Sequence, residues 1–488
     1  MNRKLIIRLI GQVLCLEAVC MLPSLLIALV SKEHDATAFL LAIAICLAVG
    51  LPLSFLRVYS PRFKMRDGYA SVALCWIFLA VFGALPYRFS GVTPNYFDGL
   101  FETVSGLTTT GASVLSNLES LPRGILFWRA LTQWMGGMGI LVLVLALVPE
   151  IGQGSMNLMR AESPGPISSK LLPKTTATAK VLYLIYIALT ALETISLRIA
   201  GMPWFDSITT SFTTISTGGF SVRSASIAAY ESEAINWIII FFMFVAAVNF
   251  SLLYALIRRK WKEFLASEEL RTYAAIVFGA IALITVNRLV QAGGAFYTAF
   301  SESTFQVISL ISTTGFVTAD YALWPAFAQA VLLLVMFSGG CAGSTAGGMK
   351  VSRIVILCRS LKRDIMRLLH PREVRAIRFE HQPVEEGTVS SVNIFAFSYF
   401  AILMLCALIV SLDNISFGAA FSSALTMISN VGPGIEAVGP TENFAMLSDI
   451  SKVTLSITML LGRLEIMPLV LLFAPQLWQK PLSMKQKI

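Results

Sequence analysis

Residues 94–111 read Pro-Asn-Tyr-Phe-Asp-Gly-Leu-Phe-Glu-Thr-Val-Ser-Gly-Leu-Thr-Thr-Thr-Gly, a mostly apolar segment too short to cross a membrane that ends in a Thr/Gly turn. The pattern occurs four times. The short segments Pro94–Leu107, Pro203–Ile215, Gly294–Ile311 and Ser416–Ile428 run into the turns Thr109-Thr110-Gly111, Thr217-Gly218-Gly219, Thr313-Thr314-Gly315 and Asn430-Val431-Gly432. Each lies between longer apolar stretches. Non-helical backbone at membrane depth is tolerated only where it lines a cavity or is buried in protein. Four such turns on one axis would form a ring of carbonyl oxygens for a dehydrated cation. The expectation is a cation pore built from one polypeptide; the alternative is four re-entrant loops that only pack.

Glycines 111, 219, 315 and 432 are 108, 96 and 117 residues apart. Self-similarity at that length indicates an internal pseudo-fourfold repeat, not a solenoid. Each unit reads as span, short helix, turn, span. Each short helix follows a starting signal, Pro at its first position or Gly or Ser as cap. A Phe recurs at 97, 205, 300 and 417.

Composition sets the environment. Mean hydropathy is +0.75 and charged residues make up 13% of 488. A soluble chain of this length needs more polar surface, so the fold class is an all-α, multi-pass membrane protein. A span takes about 20 apolar residues. Ten candidates follow: Leu5–Val30, Thr37–Leu56, Tyr69–Tyr87, Ile125–Pro149, Val181–Ile199, Ile235–Ile257, Tyr273–Val290, Phe327–Cys358, Val392–Leu412 and Val453–Phe473. The domains are two N-terminal spans (1–67) and repeats at 68–150, 178–262, 270–378 and 390–478. Of 37 Lys and Arg, 28 lie in the termini and in Arg57–Arg66, Arg160–Lys180, Arg258–Arg271 and Lys350–Arg378. Alternate loops holding the positive charge place both termini and these loops in the cytoplasm. The same patterning argues against nucleic acid as the reason for the net charge of +9. The first apolar run is long for a signal peptide and no small-residue cleavage site closes it, so it reads as an uncleaved span. Seven dispersed cysteines show neither metal nor disulfide spacing and read as small buried hydrophobes.

The chemistry of the turns suits a hard monovalent cation. The C-terminal end of each short helix carries about half a negative charge. Glycine accepts positive φ, so successive carbonyls can face one way. No carboxylate ring stands at the turns, which argues against calcium. The fourth turn lacks threonine, so the ring is expected to be asymmetric. Asp98, Glu102, Asp206 and Glu302 on the short helices either draw cations or cap backbone. Intramembrane Glu193 reads as packing or a helix–helix hydrogen bond.

Two further features stand out. Ser338-Gly339-Gly340-Cys341-Ala342-Gly343-Ser344-Thr345-Ala346-Gly347-Gly348 interrupts the span Phe327–Cys358. Each glycine costs about 1 kcal/mol relative to Ala in a helix, so the span breaks here, about 16 Å in at 1.5 Å per residue. Arg463 lies in the last span, and an intramembrane ionisable residue is a functional hypothesis by default. It faces the pore or a partner carboxylate. Glu465, two residues on, points elsewhere on a helix. No phosphate loop, hydrolase elbow, metal cluster or nucleophile–base pair supports the rival reading, a membrane-embedded enzyme.

The four turns, together with Phe127-Trp128-Arg129-Ala130-Leu131-Thr132-Gln133-Trp134-Met135-Gly136-Gly137-Met138-Gly139, resemble the Trk/Ktr/HKT superfamily of potassium transporters, nearest to its Trk-type membrane subunits. The resemblance runs essentially end to end. It implies a potassium-channel-like fold and potassium uptake across a bacterial inner membrane. It implies a homodimer in lipid and a cytosolic nucleotide-binding regulatory subunit of the TrkA type. It implies potassium at Thr109, Thr110, Gly111, Thr217, Gly218, Gly219, Thr313, Thr314, Gly315, Asn430, Val431 and Gly432, with no other cofactor. It implies a gate at Gly339, Gly340, Gly343, Ser344, Thr345, Gly347 and Gly348, and a pore-facing Arg463. In similar transporters a serine at the first filter position goes with sodium; Gly111 fits potassium. Sodium permeation and potassium symport with protons or sodium stay open. The basic run Arg359–Arg378, with Arg372, Arg375 and Arg378, is the expected docking place for the regulatory subunit.

Overall fold

The computed structural model describes residues 2–57, 65–139, 175–291, 293–371, 373 and 375–478. Six helices among them are long and apolar enough to cross a membrane: Arg3–Ser31, Ala36–Ser54, Met65–Phe89, Ala177–Ile199, Glu268–Gln291 and Glu386–Asp413. They correspond to six of the ten expected spans. Their outward faces carry exposed Leu26, Leu41, Leu184, Phe278, Phe397 and Leu408, which suits lipid rather than water. Among the described residues the sole sheet is a two-residue hairpin pairing Arg378–Phe379 with Gln382–Pro383.

Of the four other expected spans, one is described only at its start and three are broken. Helix Arg123–Gly137 covers the start of Ile125–Pro149, whose remainder lies outside the described residues. Ile235–Ile257 is not continuous as expected: helices Glu233–Ala246 and Phe250–Ile257 meet at 102°. Asn249 caps the second helix, its side chain accepting the Ser251 N–H. Val453–Phe473 is also broken, into Asp449–Arg463 and Met467–Leu472. Glu465 and Ile466 between them have φ of 53° and 66°, and Glu465 is pinned there by an ion pair with Arg353. The glycine-rich break falls where expected. Helix Ala326–Ser338 stops, and helix Val351–Leu369 begins after twelve intervening residues.

The short helices are Tyr96–Leu107, Trp204–Ile215, Phe296–Ile311 and Phe417–Ser429. The first three end where expected, the fourth runs one residue further than Ile428, and the starts shift. Asn95, not Pro94, caps the first through the Asp98 N–H at 2.8 Å. Ala295, not Gly294, precedes the third, and Ser416 caps the fourth through the Ala419 N–H.

Close helix contact in a membrane depends on small residues. Helices Arg3–Ser31 and Ala36–Ser54 meet at Gly11 and Gly50. A Cβ on Gly11 would lie 2.7 Å from the Cβ of Leu53, and one on Gly50 would lie 3.0 Å from Cys15 Sγ. Gly11→Val should therefore lower stability by about 1–3 kcal/mol. Gly279→Ala, where nothing lies within 4 Å, should be neutral or gain up to about 1 kcal/mol. Thermal unfolding in detergent compares the two; equal melting temperatures would contradict the packing account.

Candidate functional site

All four short helices end in one backbone motif. Thr109, Thr217, Thr313 and Asn430 share a φ of 55–58°. The next N–H, on Thr110, Gly218, Thr314 and Val431, returns to the carbonyl five residues back: Ser105, Thr213, Ser309 and Thr426. This is the Schellman ending, which satisfies helix-end carbonyls internally. A β-branched residue in the left-handed region is unusual, and such strain costs on the order of 1–3 kcal/mol. Asn430 adopts it readily. Despite its different side chains, the fourth turn thus follows the backbone path of the other three.

The turns close into a ring. A Cβ on Gly111 would collide with the Gly218 carbonyl oxygen, one on Gly219 with that of Thr314, and one on Gly315 with that of Val431. A Cβ on Gly432 would lie 2.6 Å from the Thr110 carbonyl oxygen, which returns to the first turn. Each glycine has φ of 75–99°. So the ring needs glycine twice over: for the conformation and for the space beside the next carbonyl.

The Gln-Trp-Met-Gly-Gly stretch supports the ring from outside. Sequence reading singled it out but gave Gln133 no role. Gln133 Nε2 donates to the Gly218 carbonyl at 2.7 Å, and Oε1 accepts the Phe220 N–H at 3.0 Å. A side chain on Gly136 would strike the Leu107 carbonyl at the first short helix's end. Gly462 stands likewise against Ile428, and Gly347 against Ser429. The Trp134 ring packs against Tyr186 and Phe212, both at 5.4 Å between centroids.

The four carboxylates of the short helices are each paired with a basic side chain, and Glu102 accepts backbone N–H groups as well. Asp98 meets Lys452 at 2.6 Å, where both are buried. Asp206 meets Arg223 at 3.1 Å and accepts from the Tyr230 hydroxyl at 2.9 Å. Glu302 meets Arg288 at 2.5 Å. Glu102 is fully buried against Arg129 at 3.2 Å, and its other oxygen accepts Ser113 Oγ, Val114 N–H and Leu115 N–H. Arg129 also donates to the Ser221 carbonyl and lies over the Phe220 ring. This pair fixes the chain leaving two neighbouring turns. Outside the spans, Glu119 accepts Ser224 N–H and Oγ and ties the same two exits together. The Ser224 hydroxyl holds its carboxyl below the usual range. The tie's contribution is present above the unfolded carboxyl pKa and is lost as pH falls through the lowered folded value. Glu193 is buried with Thr214 beside it, as a packed group.

The glycine-rich segment lies against the ring. Gly347 N–H donates to Thr313 Oγ1 at 2.7 Å, and Gly348 N–H to the Ser429 carbonyl at 2.8 Å. Gly339, Gly343 and Gly348 have φ of 64–74°. The segment also fills the 102° bend: Cys341 N–H and Thr345 Oγ1 take the Ala247 and Ala246 carbonyls, and Phe250 N–H takes that of Gly343. Gly340 packs against Ala346 and Ala247, and the Ser344 hydroxyl donates to the Cys341 carbonyl at 2.6 Å. Glu465 pairs with Arg353, and Arg463 reaches backbone. Its guanidinium donates to carbonyls of Thr345 (2.9 Å), Gly136 (2.7 Å) and Gly137 (2.5 Å). It thereby joins the last repeat to the loop and to the first repeat. Arg375 and Arg378 are exposed; Arg372 lies outside the described residues.

Among the described residues no group of three or more His, Cys, Asp or Glu is placed to hold a metal ion. Fold and site together define a membrane transport protein rather than an enzyme. The chain belongs to the TrkH family of cation transport proteins, whose model matches residues 35–480. It is 38% identical over 492 residues to the Trk system potassium uptake protein TrkH of Salmonella typhimurium, covering 98% of this chain and 100% of that one. To the Trk system potassium uptake protein TrkG of Escherichia coli it is 34% identical, covering 98% and 99%. The crystal structure of the potassium transporter TrkH from Vibrio parahaemolyticus superposes with a TM-score of 0.87 at 35% identity, covering 98% of this chain and 100% of that one.

Removing one partner of a buried ion pair strands the other charge, at about 3–5 kcal/mol. Glu102→Ala should therefore unfold at a clearly lower temperature than wild type. The double variant Glu102→Leu with Arg129→Met should recover much of the loss. A double variant no more stable than Glu102→Ala would show that the pair matters for its hydrogen bonds to the turn exits, not for charge compensation.

Proposed function

We propose that this chain takes potassium up across the bacterial inner membrane through a central pore. The observation that carries the reading is the closed ring, in which each turn glycine abuts a carbonyl of the next repeat. Carbonyls of Thr109, Thr110, Gly111, Thr217, Gly218, Gly219, Thr313, Thr314, Gly315, Asn430, Val431 and Gly432 replace the water shell of a dehydrated potassium ion, and four helix C-termini favour its charge. The names of the relatives support potassium as the cargo. The four units at 68–150, 178–262, 270–378 and 390–478 act as repeats around this pore, and the spans at 1–67 stand outside it.

Residues Gly339–Gly348 form the gate, and Arg463 holds it. An ionised guanidinium at membrane depth costs at least about 2.5 kcal/mol on insertion scales; three carbonyl acceptors offset that here. Its charge repels cations below the ring. Both termini face the cytoplasm. A homodimer and a cytosolic nucleotide-binding subunit of the TrkA type complete the system, the latter docking on the basic run Arg359–Arg378.

Gly111→Ser should shift selectivity toward sodium, since its Cβ displaces the Gly218 carbonyl. The rubidium-to-sodium flux ratio of the purified chain in liposomes reads this out. An unchanged ratio with intact flux would sink the filter assignment.

Arg463→Ala should raise potassium flux while the protein stays folded, and Arg463→Lys should keep most of the barrier because the charge remains. If the Ala variant loses thermal stability with no gain in flux, Arg463 only braces the fold.

A further inference from the structure

Glu269 lies in the first turn of helix Glu268–Gln291 and is 5% exposed. Its Oε1 accepts the Ala342 N–H at 2.7 Å and the Ser352 N–H at 3.1 Å. Ala342 belongs to the glycine-rich loop. Ser352 opens the helix that follows it, where a carboxylate is favoured by the exposed N–H groups and the helix dipole. One oxygen therefore holds both sides of the break. Bonds to an ionised acceptor are roughly twice as strong as neutral ones.

The same turn is held from the other side by the hairpin that closes the basic run. Glu380 Oε1 accepts Ser267 Oγ at 2.8 Å and the Glu269 N–H at 3.1 Å. Glu380 N–H donates to Glu268 Oε2 at 3.2 Å. Glu268 pairs with Arg359, which also donates to the Arg378 carbonyl. Glu380 and His381 at the hairpin tip have φ of 49° and 61°. That is the two-residue turn geometry usually given to Asn-Gly, so the tip is strained and these contacts hold it. Adjacent residues thus look in two directions: Glu268 to the hairpin, Glu269 to the loop.

We infer that Glu269 is a positioning residue that latches the glycine-rich loop, and that the hairpin Arg378–Pro383 sets the latch through Glu380 and Ser267–Glu269. The inference rests on the reading of the loop as the gate. A displacement of the hairpin moves the Glu269 backbone and lengthens its bond to Ala342. A force applied to the basic run by a cytosolic subunit enters the membrane by this route. Coupling of this kind needs a two-state element that both ends bias, and the glycine-rich loop is that element.

The test uses the full chain in liposomes, with rubidium flux and the rubidium-to-sodium ratio as readouts. Glu269→Ala should raise flux at least about tenfold, the lower bound for losing hydrogen bonds to a charged acceptor, with the ratio unchanged. Glu269→Gln keeps an acceptor oxygen and should stay within about threefold of wild type. Glu380→Ala should raise flux in the same direction. Because the two residues act in series, Glu269→Ala with Glu380→Ala should give no more flux than Glu269→Ala alone. Multiplying effects, unchanged or reduced flux in a folded Glu269→Ala, or a changed ion ratio would each overturn the latch. Should Glu269→Ala fail to fold, Glu380→Ala and Glu269→Gln carry the test: a flux rise in the first and not in the second supports the latch, and any other pattern overturns it. Deleting Gly339–Gly343 separates the two levels. If that deletion leaves flux as in wild type, the gate reading fails; if it raises flux and the Glu269 and Glu380 variants do not, the latch alone fails.

Discussion

The constraint on which this structure depends is that a backbone leaving the helix inside a membrane must find partners for its polar groups without water. The Schellman ending solves half of it. At each of the four turns it returns an N–H to a carbonyl five residues back, so the helix end is satisfied from within. What remains are the carbonyls of the turn itself, and the glycines let one turn close against the next. The strained φ at Thr109, Thr217 and Thr313 persists because neighbouring chain fixes both sides. Gln133 holds the second turn, and the Gly347 N–H holds the hydroxyl of Thr313.

The repeats share a backbone and differ in what braces it. Each short helix carries or meets an acid near its start, yet each acid has a different partner: Lys452 for Asp98, Arg223 for Asp206, Arg288 for Glu302 and the Ser416 hydroxyl for Glu436. Glu102 with Arg129 has no counterpart among these contacts, and it joins the exits of the first two turns. A ring with fourfold backbone and unequal bracing can hold one ion geometry while letting one side move. The loop lies on the third and fourth repeats' side, through Thr313 and Ser429.

Features written in local sequence were legible. Turn glycines, short-helix ends and the glycine-dense break each follow from conformational preference within a few residues. The bends at Ala247–Asn249 and Leu464–Ile466 were not, because neither contains glycine or proline. Their causes are tertiary: loop donors take the carbonyls of Ala246 and Ala247, and Arg353 holds Glu465. Gln133 was visible only as part of a motif, since its partners lie 85 and 87 residues away. The acids on the short helices were ambiguous for the same reason; Asp98 meets Lys452 across 354 residues. A Gln three residues before the first of two adjacent glycines gives no local hint of the carbonyl it will hold.

The glycine-rich loop also explains why three interruptions coexist. A continuous helix through Ala247 would use its own N–H donors, and the loop would lose its acceptors there. Instead Cys341 N–H serves Ala247, Gly348 N–H serves Ser429, and Arg463 serves Thr345. The broken segments therefore satisfy one another, and none can straighten or withdraw alone without leaving buried polar groups unpaired, at about 1–3 kcal/mol each. A loop that moves must do so with water or an ion arriving to take the vacated carbonyls. Interdependence of that kind, where bends, loop and Arg463 meet, favours discrete arrangements over gradual ones.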